Sequence, residues 1–551
     1  MGRFAVVLAG VVALALAGLA SAVLAAHASG TTTTTASTTT GLSTPPPATV
    51  VSTAPTVLAF SGHGWGHGLG MSQWGAYGYA QHGWTYDKIL AHYYTGTTLG
   101  TAKVATVRVL IASEKNPALT SLVPWTVTDA AGAKAQLAAG DLKLTPALSL
   151  ADQPALKPPL TFSAAQPLLV DGHAYRGKLV LSLDGKLVDV VDVVGLEQYV
   201  KGVVPSEMPS SWSPEALKAQ AVASRSYALA NVAKGRAYDL FGDERSQVYG
   251  GVAAEVPSTD AAVDATKGQV VMYAGKVADT LFFSSSGGRT ASALESTGVN
   301  VPYLVPVADP YDSIAPYHDW GPVLFDAAAL AKQLKLSAPI IGMQAVNGPS
   351  GRVKNVTVSS SDDSAQTITG NQLRTLLDLR STWFTPALLQ LLPSAKAMTY
   401  GGAVSLTGLV RGAQGVSLEA KTATTDWTPV GALIPDESGA FSTVLKPAVS
   451  TSYRLVWGNV RAGLAKVTVA ARVAATVTAT AVQGTLRPAA AGAAVELQQQ
   501  AGGTWTTLSS TVTDSSGAWT FGGALQPGTY RVRCAPGHGI AAGVSPSFTA
   551  Q

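Results

Sequence analysis

Hydrophobic and polar positions change rhythm four times along the chain. Phe4 to Ala26 is almost wholly apolar and uncharged, behind the basic start Met1-Gly2-Arg3. Residues 27–56 lose that character in runs of threonine (Thr31–Thr35, Thr38–Thr40) and the triplet Pro45-Pro46-Pro47. Such a tract has no apolar face to bury, and its prolines favour extended backbone, so it reads as a spacer. From Val57 to about residue 398, short β-rich runs mix with helices. Val104–Ile111 and Lys186–Val194 predict strands. Residues 213–234 predict a helix, with Ser213 as N-cap, Pro214 at the first position and Glu215 at the positive end. Its apolar stripe is Leu217, Ala221, Ala228 and Val232, with Ser224 as a small member and Gly235 placed to end it.

Beyond residue 400 the helical period disappears and alternation takes over. Two units repeat about 78 residues apart, by direct comparison of the sequence. Asp426-Trp427-Thr428, Asp436-Glu437-Ser438-Gly439-Ala440-Phe441 and Tyr453-Arg454 in the first answer Trp505-Thr506, Asp514-Ser515-Ser516-Gly517-Ala518-Trp519 and Tyr530-Arg531 in the second. The pattern predicts an α+β core over 57–398 followed by two small all-β, sandwich-like modules, 400–473 and 474–551. With no acid–base cluster of their own, the modules read as accessories that can be removed after residue 398 without loss of chemistry.

Composition narrows the class. The chain has 551 residues, 13% of them charged, and a formal net charge of +4. Lys and Arg are scattered, so nothing resembles a nucleic-acid-binding tract. The one cysteine, Cys534, excludes an internal disulfide and any zinc site built from several cysteines. Ala20-Ser21-Ala22 follows the apolar start as a small-x-small cleavage site, which reads as a signal peptide; a retained membrane anchor is the other reading. Both put the remainder outside the membrane.

Three segments carry candidate chemistry. In Tyr199–Tyr227, Glu207 sits between Pro205 and Pro209 among Val203, Val204, Met208 and Trp212. A carboxyl desolvated there stays protonated and can act as an acid; the structural alternative is a loop glutamate paired with Arg225. Lys218 and Arg225, seven apart, share a helix face and suit a polar or anionic substrate. In Leu281–Thr290 a strand runs into Ser284-Ser285-Ser286-Gly287-Gly288, a turn that either offers hydroxyls to a sugar or is simply polar. In Gly62–Ala76, glycine at every second position up to Gly70 argues against a helix. Extended backbone would hold His63 and His67 ~13 Å apart, too far to chelate one metal. Trp65 and Trp74 read either as groove or as core aromatics.

Together these segments resemble the SpoIID/LytB family, related to stage II sporulation protein D. The resemblance rests on Gly202-Val203-Val204, Glu207-Met208-Pro209 and Glu215–Ala223 in order, then Gln247-Val248-Tyr249-Gly250-Gly251, Ser284–Thr290, Pro302-Tyr303-Leu304, Asp309-Pro310, Gly370–Leu373 and Leu379-Arg380-Ser381-Thr382. It covers about three-fifths of the chain. It implies an exported or wall-associated protein acting on peptidoglycan glycan strands, as a lytic transglycosylase or as a non-catalytic amidase enhancer partnered with a cell-wall amidase. It also implies Glu207 as the catalytic acid and Lys218, Arg225, Ser285 and Ser286 at the substrate groove; His63 and His67 are read from their own segment as substrate-binding residues beside that groove. The zinc of some members is not carried over, since no cysteine lies in the region, and no cofactor is expected. One departure stands out. The family places the Gly-His-Gly…Met-Ser-Gln segment after Leu-Arg-Ser-Thr, whereas here it comes first. A circularly permuted domain is expected, with 60–95 packed against 352–384.

Overall fold

The computed structural model describes residues 48–102, 106–142, 144, 147–148, 150, 155–233 and 235–551. The apolar start and most of the Thr/Pro tract, with the cleavage and anchor readings that fall on them, lie outside the described residues. Among those described, no helix is long and apolar enough to cross a membrane. The architecture is mixed α+β with a β-rich C-terminal region.

The first long strand, Thr56–His63, runs between Asp319–Asp326 and Phe384–Gln390, antiparallel to both. Its buried side chains Val57, Leu58, Ala59 and Phe60 fill the interior there. The register pairs Gly62 with Phe384. Beyond the strand, the Gly66 N–H donates to the Arg380 carbonyl at 3.0 Å and the Ser381 hydroxyl to the His63 carbonyl at 2.6 Å. The contact expected of a permuted order is present.

A seven-stranded sheet occupies residues 106–241; its strand Leu187–Gly195 feeds directly into the helix Leu196–Glu207. Thr106–Glu114 and Leu187–Gly195 are the strands expected near 104 and 186. Pro209 excludes helical backbone at the residue before it. Met208 accordingly adopts φ −128°, ψ 141°, and Glu207 ends the helix.

The central helix is Pro214–Ala230, ending four residues earlier than expected. Its C-cap is Asn231, whose side-chain amide donates to the Tyr227 carbonyl at 2.9 Å, so the chain has left the helix before Gly235 is reached. Val232, expected on the stripe, is exposed outside the helix, while Leu217, Ala221, Ser224 and Ala228 are buried. Around this helix pack Gln73–Gln81, Tyr86–Tyr93, Leu196–Glu207 and Pro257–Ala265 in one apolar cluster.

The repeated units are two-sheet sandwiches with matching details. Asp436 and Asp514 each accept from a serine two residues on and from the N–H of an alanine four residues on. Arg454 lies 4.0 Å over the Trp427 ring and Arg531 4.3 Å over Trp505. The first unit is not separate from the core, however. Its strand Val404–Arg411 pairs with Phe384–Gln390, and Val57, Leu389 and Leu391 belong to its apolar cluster. Val50–Val51, in the stretch read as spacer, pairs in parallel with Val460–Arg461. A cut after residue 398 therefore strips a partner strand from the core, contrary to the expectation that both modules are dispensable.

Candidate functional site

The Gly-rich segment builds one wall of a cleft. Gly64, Gly66, Gly68 and Gly70 all have positive φ, a conformation that costs little only for glycine. A side chain at Gly70 would also collide with the Leu281 carbonyl, its Cβ falling 2.0 Å from the oxygen. So threaded, Trp65 bridges to Ser285 and Met71–Ser72 lies parallel to Phe282–Phe283. Ser72 then caps the next helix, accepting from the Gly75 N–H at 3.1 Å.

Gln73, the first residue of that helix, points back to Glu207. Its amide donates to the Glu207 carbonyl at 3.0 Å and, more weakly, to Glu207 Oε2 at 3.4 Å. Oε1 accepts from the Val248 N–H at 3.0 Å. Burial pushes the Glu207 carboxyl above the usual range, against the opposing pull of the Val248 and Gln73 donors, and the charge of Glu244 pushes it further. The negative end of its own helix acts in the same sense.

Glu207 lies in a cleft of about 270 Å³, walled by Trp65, Gln73, Tyr227, Glu244, Ser284 and Arg374 among others. Trp65 is exposed on one side, with Tyr317 edge-on at 5.1 Å and the Arg380 guanidinium 5.1 Å above the ring. Glu207 does not pair with Arg225, so the loop-glutamate alternative fails.

The expected partners of Glu207 are elsewhere. Arg225 is completely buried and bidentate to Glu197, at 2.9 and 2.7 Å, with further bonds to the carbonyls of Gln269 and Val263. Lys218 pairs with Glu215 at 2.7 Å beside the Tyr86 ring. The two do share a helix face, but that face packs on the Tyr86 helix and the Gln269–Tyr273 strand. Tyr227, two positions past Arg225 and therefore about 200° around the helix, is the residue that reaches the cleft.

Ser285 and Ser286 are likewise buried, contrary to the reading of a hydroxyl-bearing surface turn. They wrap the carboxylate of Asp312. It accepts from the hydroxyls of Ser72 and Ser285, both at 2.8 Å, and from the Ser286 and Gly287 N–H groups at 2.9 Å. His318 Nδ1 is 3.0 Å away. The neighbouring Asp309 is pushed up to about 7 by burial and by the charge of Asp312.

His67 has both ring nitrogens engaged by backbone. The Leu69 N–H donates to Nδ1, so Nε2 carries the hydrogen and donates to the Phe282 carbonyl; both distances are 3.0 Å. Burial and the charges of Arg374 and Arg352 hold it down to about 4, neutral at any ordinary pH. It contributes a ring wall rather than a free ligand atom. His63 is half-exposed, 2.6 Å from Asp319 and tilted against Trp383. Among the described residues no cluster of His, Cys, Asp and Glu is arranged to hold a metal ion.

Reading by sequence missed Gln73, Tyr227, Glu244 and Arg374. Gln73 and Tyr227 lie inside segments already singled out; nothing in the local pattern marks Glu244 or Arg374.

A mixed α+β domain presenting one desolvated glutamate in an aromatic-flanked cleft is the frame against which known proteins compare. Residues 184–273 match the family model SpoIID, stage II sporulation protein, so the similarity to that family is carried by this segment. An uncharacterized protein of Brachyspira hyodysenteriae is 34% identical over 232 residues, 40% of this chain and 60% of that protein. Stage II sporulation protein D of Bacillus subtilis is 31% identical over 211 residues, 35% of this chain and 61% of that one. The amidase enhancer of Bacillus subtilis is 38% identical over 140 residues, 25% of this chain and 19% of that one. The chain thus spans at most about three-fifths of these relatives. The family match takes in Glu207, Lys218 and Arg225 but not His63, His67, Ser285 or Ser286.

Proposed function

We propose that this chain works outside the membrane as a lytic transglycosylase, cleaving the MurNAc–GlcNAc β-1,4 bond of peptidoglycan glycan strands. The observation that carries the reading is Glu207, a half-buried carboxyl in an open cleft beside an exposed tryptophan, with desolvation pushing it above the usual carboxyl range. The Val248 N–H holds Oε1 as acceptor, which leaves the proton on Oε2. That proton passes to the glycosidic oxygen as the bond to the anomeric carbon breaks. The C6 hydroxyl of the same MurNAc closes on that carbon and gives its proton to the Glu207 carboxylate, restoring the acid and leaving a 1,6-anhydro end. Trp65 offers a flat apolar face of the kind sugar rings stack on. Ser285, Ser286, Lys218 and Arg225 have no direct part in this reading.

A second reading is favoured by the likeness to the amidase enhancer: the cleft binds glycan without cutting it and stimulates a separate wall amidase. Glu244, exposed in the same cleft, also supplies the second carboxylate that simple hydrolysis requires. The product end separates the three. Purified protein and Glu207→Gln are incubated with peptide-free glycan strands and the products weighed by mass spectrometry. Anhydro ends are expected from the wild type, with the rate falling ~10²–10⁴-fold in the variant while strand binding survives. Reducing-end MurNAc refutes the anhydro route. Binding without any cleavage, alongside faster release of stem peptides by an added amidase, refutes catalysis.

A further inference from the structure

A second cavity, about 440 Å³, adjoins the Glu207 cleft. Gly66, His67, Leu281 and Arg374 line both, so one groove continues into the other past the His67 ring. The walls of the second cavity bring three cations together. Arg352, buried at 4% exposure, gives Nη1 to the Arg289 carbonyl and Nη2 to the Ser286 carbonyl, while its Nε has no partner. Arg374 is half-buried, with Nε donating to the Leu379 carbonyl at 3.2 Å. Lys354 is exposed at the rim.

The one wall carboxylate is Glu295. Its Oε1 accepts from the Ser350 hydroxyl at 2.8 Å, and its charge acts on Arg352. One negative charge against three positive ones leaves an excess on the Arg374 and Lys354 side, and neither of these forms a salt bridge among the described residues. Leu69 and Val353 give the same cavity an apolar patch. Asp378 acts on Arg374 through its charge but forms no salt bridge with it, and a half-buried cation so placed is stabilised further by a ligand that brings a direct partner.

We propose that this cavity is a carboxylate subsite: it takes the acidic substituent of a muramyl residue neighbouring the one at Glu207, with Arg374 and Lys354 as its recognition groups. The proposal rests on the glycan reading above. Two sources offer the same chemistry. In a peptide-free strand the carboxylate is that of the lactyl ether, whose methyl group suits the Leu69–Val353 patch. In a strand bearing stem peptides it belongs to the peptide.

The test is calorimetric binding at low salt, using four probes: peptide-free MurNAc–GlcNAc oligomers, the same oligomers with their lactyl carboxyls converted to amides, oligomers with intact stem peptides, and chitotetraose. The wild type is expected to bind one of the two acid-bearing probes about 10–100-fold more tightly than the amide, the range of one or two charge-assisted hydrogen bonds. Which acid probe wins identifies the source. Lys354→Gln should erase that preference and leave chitotetraose affinity unchanged, while Arg374→Met, which also alters the Glu207 cleft, should lose the preference by a larger factor than it loses chitotetraose affinity. Lys354 is exposed, so its variant keeps the test standing if Arg374→Met unfolds. Equal affinity for acid and amide, or a loss in the variants that falls equally on chitotetraose, overturns the subsite alone. Failure to bind any of the four probes overturns the glycan reading and the subsite with it.

Discussion

Replacing Arg225 by Ala separates a folding role from a substrate role. Arg225 is the largest completely buried side chain in the described structure, and its guanidinium is spent on the Glu197 carboxylate and on carbonyls of two neighbouring elements. The variant leaves Glu197 without its counter-charge, leaves the Gln269 and Val263 carbonyls without that donor, and opens a void. Breaking a buried pair from one side typically costs about 3–5 kcal/mol. The Glu197 side chain is 25% exposed and can recover some hydration, which favours the lower part of that range. The expected loss is about 3 kcal/mol, on the order of 10 °C in melting temperature. Urea titration and thermal melts measure it, and glycan binding is read below the transition. Replacing the pair together, Glu197→Gln with Arg225→Met, should recover much of the loss, because no charge is then stranded. An Arg225→Ala protein that melts within about 1 kcal/mol of wild type yet no longer binds glycan would refute the argument and return Arg225 to the groove.

Gly70→Ala should cost at least about 2 kcal/mol by chemical denaturation, since its φ of +74° is strained for alanine and the added Cβ meets the Leu281 carbonyl. Removal of residues 472–551 should leave a cooperatively melting core, whereas ending the chain after residue 398 should not, because it uncovers Val57, Leu389 and Leu391; circular dichroism melts of the two truncations decide. Asp192 and Asp309 are both pushed up to about 7, chiefly by burial, and an acid raised above its unfolded value of about 3.9 binds its proton more tightly when folded. Their contribution to stability is therefore full below pH about 4 and lost as pH rises to about 7. Asp192→Asn should flatten the fall in melting temperature across that window, and an unchanged slope would count against the shift.

The legible parts of the molecule are those where a local signal and a tertiary demand agree. The central helix begins at Ser213-Pro214 because capping chemistry is local, and the two Asp-x-Ser-Gly turns repeat because each is closed by its own residues. The desolvation of Glu207 is one of two readings that its apolar neighbours allow, and its role as acid is carried only by the family resemblance. What the sequence could not show is which way a helix face is turned. The spacing of Lys218 and Arg225 gives a shared face, but only packing tells that it meets Glu197 and Gln269 rather than the cleft. Ser285 and Ser286 turn inward for the same reason: Asp312, which accepts from the Ser285 hydroxyl and the Ser286 N–H, lies 27 and 26 residues away. Arg374 carries no local signal because its significance comes from a cavity wall shared with His67.

The strand Thr56–His63 has a consequence for the timing of assembly. It is among the first parts of the described chain to be synthesised, yet the backbone that pins its outgoing loop, Arg380 to Trp383, comes some 318 residues later. Closure over so long a span is slow relative to local structure. Glu207, Gln73 and Val248 can all exist on a growing chain while the Gly64–Gly70 wall beside them is still untied. No N-terminal fragment that stops short of Phe384–Gln390 holds a finished cleft. This order of segments makes the arrival of one late strand the event that completes the cleft, and a nascent or prematurely ended chain carries Glu207 without the finished groove beside it.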